Sequence, residues 1–197
     1  MTKKPRVIIL YFLISFSSLI FIVSDSIFFK SFSNVYGFFH SQVQENFITY
    51  ENSKLKLSIN YPYDWQKEER IGGLVSFLAP RESDSQTRFP AGLGISYSLL
   101  DSNTSLSVIS TVHINNITSN LKDFRLLDTI KVKLGNKFDA YEIIFEALDG
   151  NELRKASQFI TKNNNIAYLF TYKADLDKYD LYKPTIWKIL DSLKFHK

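Results

Sequence analysis

Histidine is the side chain most often used for acid–base catalysis and metal binding near neutral pH, and the chain contains three. His40, His113 and His196 lie far apart, and none forms the H-x-x-x-H spacing that places two ligands on one helix face. His113 falls on an apolar helical stripe, where a core histidine with one hydrogen bond is the simpler interpretation and a ligand or acid–base role the alternative. His196 is expected to be solvated in the C-terminal tail. The histidines therefore predict no metal site and no catalytic pair.

Other common catalytic patterns are also missing from the sequence. There is no cysteine, which excludes disulfides, thiolate metal sites and a cysteine nucleophile. No serine lies in a G-x-S-x-G elbow. Gly92 and Gly94 are not followed by the third glycine of a dinucleotide-binding loop or by a P-loop lysine. We therefore predict no catalytic residue, no cofactor and no metal, and hence a protein that is not an enzyme.

Three acidic residues lie close together before the last predicted helix. Asp175, Asp177 and Asp180 occur within KADLDKYD, and oxygen-rich loops of this kind can bind calcium. The glycine and the closing glutamate of an EF-hand loop are missing. The simpler interpretation gives Asp177 or Asp180 a place at the positive end of the helix dipole. A weak cation site is the alternative.

Four residues are candidates for contacts with a partner or ligand. Tyr61 and Trp65 belong to a Tyr-Pro-x-x-Trp corner, which either lines a pocket or locks the end of a hairpin onto the core. Arg81 and Arg88 lie in the polar stretch from Pro80 to Pro90, and exposed loops commonly carry binding residues. The packing role is favoured for the aromatic pair, and partner binding is a hypothesis for the two arginines.

Two N-x-S/T sequons offer glycosylation sites to an exterior machinery. Asn103 precedes Thr104-Ser105 just before a predicted helix and is expected to be exposed. Asn116 precedes Ile117-Thr118 beside the apolar stripe of that helix. Sequons also arise by chance, so the pattern predicts candidate sites only.

The positive charge of the chain is concentrated at its N-terminus. The pI is about 9.1, and Lys3, Lys4 and Arg6 precede the first acidic residue, Asp25. Without those three, 21 basic residues face 20 acidic ones, a net charge of +1. A nucleic-acid-binding protein concentrates basic charge on its folded part. The sequence therefore predicts no nucleic-acid partner.

An uncharged hydrophobic run from Val7 to Val23 predicts a membrane anchor within residues 1–25. As a helix it would span about 26 Å, close to the hydrocarbon core of a bilayer once its flanks are included. The basic residues before it favour a cytoplasmic N-terminus and an extracytoplasmic domain. The alternative is a cleaved signal peptide and a secreted domain. SDSIFF after the run offers no small-residue cleavage pattern, which favours an uncleaved signal-anchor.

Residues 26–44 predict a helical, aromatic stalk. Phe28, Phe32, Tyr36 and Phe39 recur at three- and four-residue steps, which places them on one helix face. Two roles are open. The stripe either covers part of the domain or forms an aromatic belt in the lipid headgroup layer. Gly37 weakens a single rigid helix.

Residues 45–197 predict an α+β domain. Leu55, Leu57, Ile59 and Tyr61 alternate with polar residues, the period of a half-buried strand. Eight further strands and two helices follow from alternation, helical stripes and turn residues, including Asp149-Gly150, a preferred hairpin turn. The strands are predicted over Phe47–Glu51, Leu55–Tyr61, Lys67–Ile71, Leu74–Ala79, Ala91–Leu100, Arg125–Lys133, Phe138–Leu148, Leu153–Thr161 and Ile166–Ala174. The helices are predicted after an N-cap at Ser105 and over Tyr179–Leu193, with Pro184 in its first turn. Successive hairpins with two helices predict a mostly antiparallel sheet.

Several aromatic motifs resemble those of the PsbP-like family, whose founding member is the extrinsic PsbP subunit of photosystem II. They are FITYENSKLKLSINYPYDW at Phe47 to Trp65, VSFLAP at Val75 to Pro80, RFP at Arg88 to Pro90, the helix start Ser105-Leu106, and KPTIWKILDSLKF at Lys183 to Phe195. The similarity is greatest to archaeal and bacterial relatives. The resemblance implies an antiparallel sheet with helices on both faces, an α/β/α sandwich, and an accessory, non-catalytic role outside the cytoplasm. No metal ligand of the family can be matched here, and the predicted anchor departs from the plant subunit.

Two hypotheses of function follow. The first is a membrane-anchored extracytoplasmic accessory or interaction domain, held in the lipid bilayer by residues 7–23, whose partner is a membrane or envelope protein complex. The second is a small-ligand-binding or sensing domain at the outer face of the membrane. A deep concavity with convergent polar groups would favour the second, and a flat surface the first.

Overall fold

The computed structural model describes residues 46–70, 74–81, 90–100 and 104–196. These residues form ten strands and two helices. The strands are β1 (Phe47–Asn52), β2 (Leu57–Pro62), β3 (Gln66–Arg70), β4 (Leu74–Leu78), β5 (Gly92–Leu99), β6 (Arg125–Leu134), β7 (Phe138–Asp149), β8 (Glu152–Asn163), β9 (Ile166–Asp175) and β10 (Lys194–Phe195); the helices are α1 (Leu106–Asn120) and α2 (Tyr179–Asp191).

Two antiparallel sheets organise the described part of the chain. Seven strands lie in the order β3-β4-β5-β9-β8-β7-β6, and three lie in the order β1-β2-β10. Every pairing is antiparallel. The α+β class and the antiparallel sheet predicted from the sequence are confirmed, but the sequence did not separate the first hairpin into a second sheet.

Alternation along β9 shows how the large sheet separates two cores. Tyr168, Phe170 and Tyr172 point into a core shared with α2 and the small sheet. Ala167 and Leu169 point to the opposite face, into a second core under α1. Because successive side chains of a strand face opposite sides, the two helices must cover opposite faces. The large sheet therefore has one helix on each face, as the family resemblance implies.

Helix α1 begins as its sequence predicts. The Ser105 side chain accepts a hydrogen bond from the Val108 backbone N–H at 3.3 Å, which satisfies one of the orphan donors of the first turn. Ile109, His113 and Ile117 form the buried stripe.

Helix α2 departs from its prediction in two details. Lys178 is the N-cap and makes no side-chain cap bond, so Asp177 does not cap the helix, whereas Asp180 does lie in the first turn. Pro184 lies inside the helix, beyond the first turn. The missing N–H of a proline leaves the carbonyl four residues earlier without its helical donor. That residue is Asp180, which is exposed, so water can supply the bond.

The C-terminal tail closes the small sheet, which the sequence did not predict. β10 pairs with Ser58 and Leu57 of β2, and the His196 backbone N–H donates to the Lys56 carbonyl at 2.8 Å. This pairing explains why Ser58, predicted on the polar face of a half-buried strand, is 5% exposed. The His196 side chain is exposed, as expected.

The predicted anchor (residues 1–25) and stalk (26–44) lie outside the described residues. Within the described ranges, no helix combines the length and the apolar character that a bilayer span requires.

Candidate functional site

A shallow depression lies on the α1 side of the large sheet, across β4, β5 and β9. We call it the open-face depression; its lining residues are Ser76, Leu78, Pro90, Gly92, Leu93, Gly94, Thr171 and Lys173. Cross-strand pairs Ser76–Gly94 and Gly94–Thr171 form its floor. Since α1 packs mainly on β7 and β8, this part of the sheet face lies beside the helix rather than beneath it.

Two glycines, Gly92 and Gly94, are among the residues that line this depression. A Cβ at Gly92 would lie 2.8 Å from Leu78 Cδ2 and 2.9 Å from the Phe77 carbonyl oxygen. Glycine inside a strand commonly marks a place where another group approaches closely. At Gly92 that group is the neighbouring strand β4, so the residue is required by sheet packing.

As the described residues form it, the depression is too shallow to bury a small molecule. Its empty volume is about 240 Å³ including open solvent, and its enclosed part has room for about one water molecule. Pockets for drug-sized ligands usually enclose roughly 300–1,000 Å³ and cover most of the ligand surface. The geometry of this face suits contact with a broad surface.

A polar relay connects α1 to the depression. His113 Nε2 lies 2.7 Å from Gln158 Oε1, and Gln158 Nε2 donates to Thr171 Oγ1 at 3.3 Å. His113 is 1% exposed, and burial lowers its pKa to about 4 while the Gln158 contact opposes the shift. The imidazole is therefore neutral near pH 7 and must donate from Nε2 to the Gln158 oxygen. This is the core histidine with a satisfied hydrogen bond that the sequence favours.

An ion-pair network borders the depression at the β7–β8 turn. Arg154 has no solvent exposure and lies 2.6 Å from Glu152, 2.8 Å from Asp175 and 3.7 Å from Asp149. Lys173 also lines the depression, and its Nζ lies 2.6 Å from Asp149 Oδ2. Two cations thus meet three carboxylates across one hairpin and the next strand.

Burial shifts the pKa values of the ionisable groups in this network. It lowers the pKa of Lys173, and the Asp149 carboxylate opposes that shift. It raises the pKa of Asp175, and Arg154 opposes that shift. The charges therefore stabilise one another.

A second buried polar cluster joins α2 to the opposite face of the sheet. Ser157 Oγ donates to Glu142 Oε1 at 2.7 Å, and the Tyr179 hydroxyl hydrogen-bonds to the same Ser157 oxygen. Lys183 Nζ lies 3.8 Å from Glu142 Oε1. Burial raises the pKa of Tyr179 to about 12, so its hydroxyl stays protonated and donates. Because Tyr172 also donates to the Tyr179 carbonyl at 2.5 Å, the cluster attaches the start of α2 to β8 and β9.

The aromatic candidates Tyr61 and Trp65 lie in the core. They are 7% and 6% exposed. Tyr61 stacks on Phe77 with ring centroids 4.4 Å apart, and Trp65 meets the edge of Tyr182 at 6.1 Å. Such contacts are those of packing residues, the role that the Tyr-Pro-x-x-Trp motif favours.

The remaining candidates are dispersed. Arg81 is exposed at the end of a described range, while Arg88 and Asn103 lie outside the described residues. Asn116 is half-buried on α1 and its Oδ1 accepts a bond from Asn120 Nδ2 at 2.6 Å. The structure therefore brings none of the described candidates into the open-face depression.

Two of the three acidic residues near the start of α2 form ion pairs. Asp175 pairs with Arg154, and Asp180 Oδ1 lies 3.8 Å from Lys155 Nζ. In the described part of the chain, no three histidine or acidic side chains come together as metal ligands.

Charged residues inside buried strands are the residues that sequence reasoning missed. Arg154, Lys173 and Glu142 are 0%, 5% and 2% exposed. Glu142 and Lys173 each lie between two apolar residues of a strand, and a charge in such a position must have partners. That interruption was the available signal, but the identity of the partners depends on strand register.

The fold is similar to those of several solved structures. Cyanobacterial PsbP (CyanoP) from Synechocystis sp. PCC 6803 superposes with a TM-score of 0.58 at 16% identity, covering 81% of this chain and 98% of that one. LpqN of Mycobacterium tuberculosis, described as involved in cell envelope biogenesis, gives a TM-score of 0.56 at 15% identity, covering 72% and 83%. A Bacteroides thetaiotaomicron protein gives 0.55 at 18% identity, covering 76% of this chain and 48% of that one. These likenesses establish the fold alone.

No curated protein matches the sequence significantly. A family model, described as PsbP-like protein, matches residues 30–195. That match begins before residue 45, where the sequence places the start of the domain. The chain therefore belongs to the PsbP-like protein family.

Proposed function

We propose that the chain is a non-enzymatic accessory domain, anchored by residues 7–23 in a membrane, that binds a membrane or envelope protein on the extracytoplasmic side. The uncharged run and the basic residues before it support the anchor and its orientation. Family membership supports an accessory role.

The observation that carries the proposal is the shallowness of the open-face depression. Its floor of Ser76, Gly94 and Thr171 resembles a surface that another polypeptide can approach closely, and its enclosed part has room for about one water molecule. A small-ligand site would be expected to enclose its ligand. The geometry of this face thus favours the partner hypothesis over the sensing hypothesis.

The edges of the large sheet favour a contact on its face. The strand β3 reads QKEER, and charged side chains on an edge strand oppose pairing with another strand. The opposite edge, β6, carries a bulge between Leu126 and Asp128 together with Lys131 and Lys133. A partner is therefore expected to lie across the face and not to add a strand.

The buried ionisable groups support a role without turnover. Catalytic acids and bases are placed where a substrate can reach them. Arg154 pairs with carboxylates beside it, and Glu142 accepts from Ser157 beneath α2. Both clusters connect secondary-structure elements. Recovery of a turnover activity from the purified chain would contradict this part of the proposal.

Site-specific photocrosslinking in native membranes tests the proposed binding face. A photoreactive amino acid is placed at Ser96 or Thr171, both half-exposed on the α1 side of the sheet, and at Glu51 on β1 as the matched control. We expect the two face positions to give the same covalent adduct with one envelope or membrane protein, and Glu51 to give none. Equal labelling at all three positions, or no adduct at either face position, would refute the proposed face.

A further inference from the structure

One edge of the large sheet has a local excess of positive charge. We call residues 122–137 the basic edge; they comprise β6 and its flanking turns. They contain five Lys or Arg residues and two Asp residues, a net charge of +3, whereas the whole chain has +4. β6 is the outermost strand of the seven, and it is exposed over most of its length.

Apolar side chains are exposed among these charges. Leu126 is 44% exposed, and Leu127 and Ile130 are each 39% exposed. The patch continues into the core under α1 through Phe124, which packs on Phe145 with ring centroids 5.3 Å apart. Three large aliphatic residues are thus exposed within five positions of one strand.

Two of the five basic side chains form ion pairs, and three form none with the described residues. Arg125 pairs with Glu146 at 2.5 Å and Lys133 with Asp139 at 2.7 Å. By contrast, Lys122, Lys131 and Lys137 form no ion pair with any other residue in the ranges that the structure describes. All three side chains are exposed. The Lys131 ammonium lies 6.0 Å from the Tyr141 ring centre, and the Lys137 ammonium lies 4.8 Å from the Phe138 ring centre.

Protection of an edge strand explains only part of this pattern. Lysines and a bulge prevent strand addition, which accounts for Lys131 and for the irregularity after Leu126. Protection alone does not favour Leu127 and Ile130, because exposed aliphatic side chains on an edge promote association. The combination of unpaired lysines with protruding aliphatic side chains is instead typical of surfaces that contact lipid headgroups.

We propose that the basic edge docks on the anionic headgroup layer of the membrane that holds the anchor. Lys122, Lys131 and Lys137 contact anionic lipid, and Leu126, Leu127 and Ile130 enter the headgroup boundary. The inference rests on the membrane tether of the proposed function, because the tether keeps the domain at high effective concentration beside the bilayer. Docking would fix the orientation of the open-face depression relative to the membrane.

A single-cysteine probe tests this docking in the full chain, which has no native cysteine. Thr129→Cys, exposed on β6, is labelled with an environment-sensitive fluorophore, and the protein is reconstituted into phosphatidylcholine vesicles with or without phosphatidylglycerol. We expect stronger, blue-shifted emission only with the anionic lipid. The response should decline as salt shortens the Debye length from about 10 Å to about 3 Å. The same label at Glu69→Cys on β3, the opposite edge, should not respond.

Variants that remove lysine charges measure how much each lysine contributes to docking. Replacing Lys122, Lys131 and Lys137 by Gln should lower the docking equilibrium about fivefold per lysine, because one Lys near an anionic surface contributes about 1 kcal/mol. The same charge change at three exposed lysines elsewhere, Lys54, Lys56 and Lys194, should leave the signal unchanged. Equal losses from both triple variants would overturn the inference.

The outcomes separate the inference from the proposed function. If the chain floats with both kinds of vesicle but the β6 probe emits equally in both, the tether stands and the docking is wrong. If the chain floats with neither, the tether itself is wrong, and the docking fails with it. Concentration-dependent crosslinking between two Thr129→Cys chains, without a lipid response, would assign the basic edge to self-association and overturn the inference.

Discussion

Replacing Arg154 by Met should destabilise the domain far more than removing an exposed charge such as Arg125. The guanidinium has no solvent exposure and neutralises Asp149, Glu152 and Asp175. Met fills much of the same volume but leaves three carboxylates facing only Lys173. Removing one partner of a buried ion pair typically costs about 3–5 kcal/mol, because the remaining charge is desolvated and uncompensated.

The sign of the pH dependence follows from Asp175. Burial already raises its pKa above the unfolded value, and Arg154 opposes that shift. Without Arg154 the pKa of Asp175 should rise further. A carboxyl with a raised folded-state pKa binds a proton more readily when folded, so its destabilising effect grows as pH rises and is relieved as pH falls. The difference in unfolding free energy between Arg154→Met and wild type should therefore shrink from pH 7 to pH 5.

Urea denaturation of the detergent-solubilised full chain, followed by tryptophan fluorescence, measures both effects. The matched control is Arg125→Met, which breaks an Arg–Glu pair whose arginine side chain is 68% exposed. Exposed pairs usually contribute about 0–1 kcal/mol. Equal losses for the two variants, or a loss from Arg154→Met of less than about 1 kcal/mol, would refute the assignment of Arg154 as a buried, stabilising charge centre.

Three further predictions concern single residues. Ser157→Ala removes the hydroxyl that donates to Glu142 and should cost about 1–3 kcal/mol in the same denaturation assay; no loss would mean that the bond to Glu142 contributes nothing. Gly92→Ala places a Cβ 2.8 Å from Leu78 Cδ2 and should cost about 1–3 kcal/mol, with Gly150→Asn, an open turn position with positive φ, as the nearly neutral control. Because burial lowers the pKa of His113 to about 4, its contribution to stability should be full above about pH 6.5 and should fall, by on the order of 3 kcal/mol, as the pH drops toward 4. His113→Gln should remove that part of the acid slope, and an unchanged slope would contradict the buried neutral histidine.

Local patterns predicted the elements of this fold because each pattern has one structural solution. The alternation of Leu57, Ile59 and Tyr61 allows only a strand, and all three side chains are buried. A hairpin turn joins β7 and β8 where the sequence predicts one, but Asp149 pairs with Glu152, so the two loop residues are Gly150, at φ +69°, and Asn151. Ser105 is the predicted N-cap of α1. These signals depend on neighbours along the chain.

Features that depend on distant residues were not predictable. The sequence predicts that Ser58 faces solvent, because polar and apolar residues alternate along β2. In the structure, β10, which comes from the other end of the chain, pairs with β2 at Ser58. Leu55, predicted to begin β2, lies in the turn and is fully buried, and its carbonyl accepts a bond from Tyr168 at 2.8 Å. Both outcomes require knowing which strands become neighbours.

The candidate site was missed for a related reason. The candidates predicted from the sequence lie in an exposed loop and an aromatic corner, whereas the open-face depression is formed by three strands that meet only through sheet order. Thr171 accepts a hydrogen bond from Gln158 on the neighbouring strand, a contact that depends on strand register. The aromatic pair Tyr61 and Trp65, by contrast, has the packing role that their motif favoured.

Protease accessibility tests the topology on which the proposed function depends. Epitope tags are added before Met1 and after Lys197, and protease is applied to intact cells and, as a control, to lysed cells. We predict that the C-terminal tag and the domain are digested from outside while the N-terminal tag is protected until lysis. A domain that resists external protease in intact cells, or that fractionates with the cytosol, would contradict the proposal.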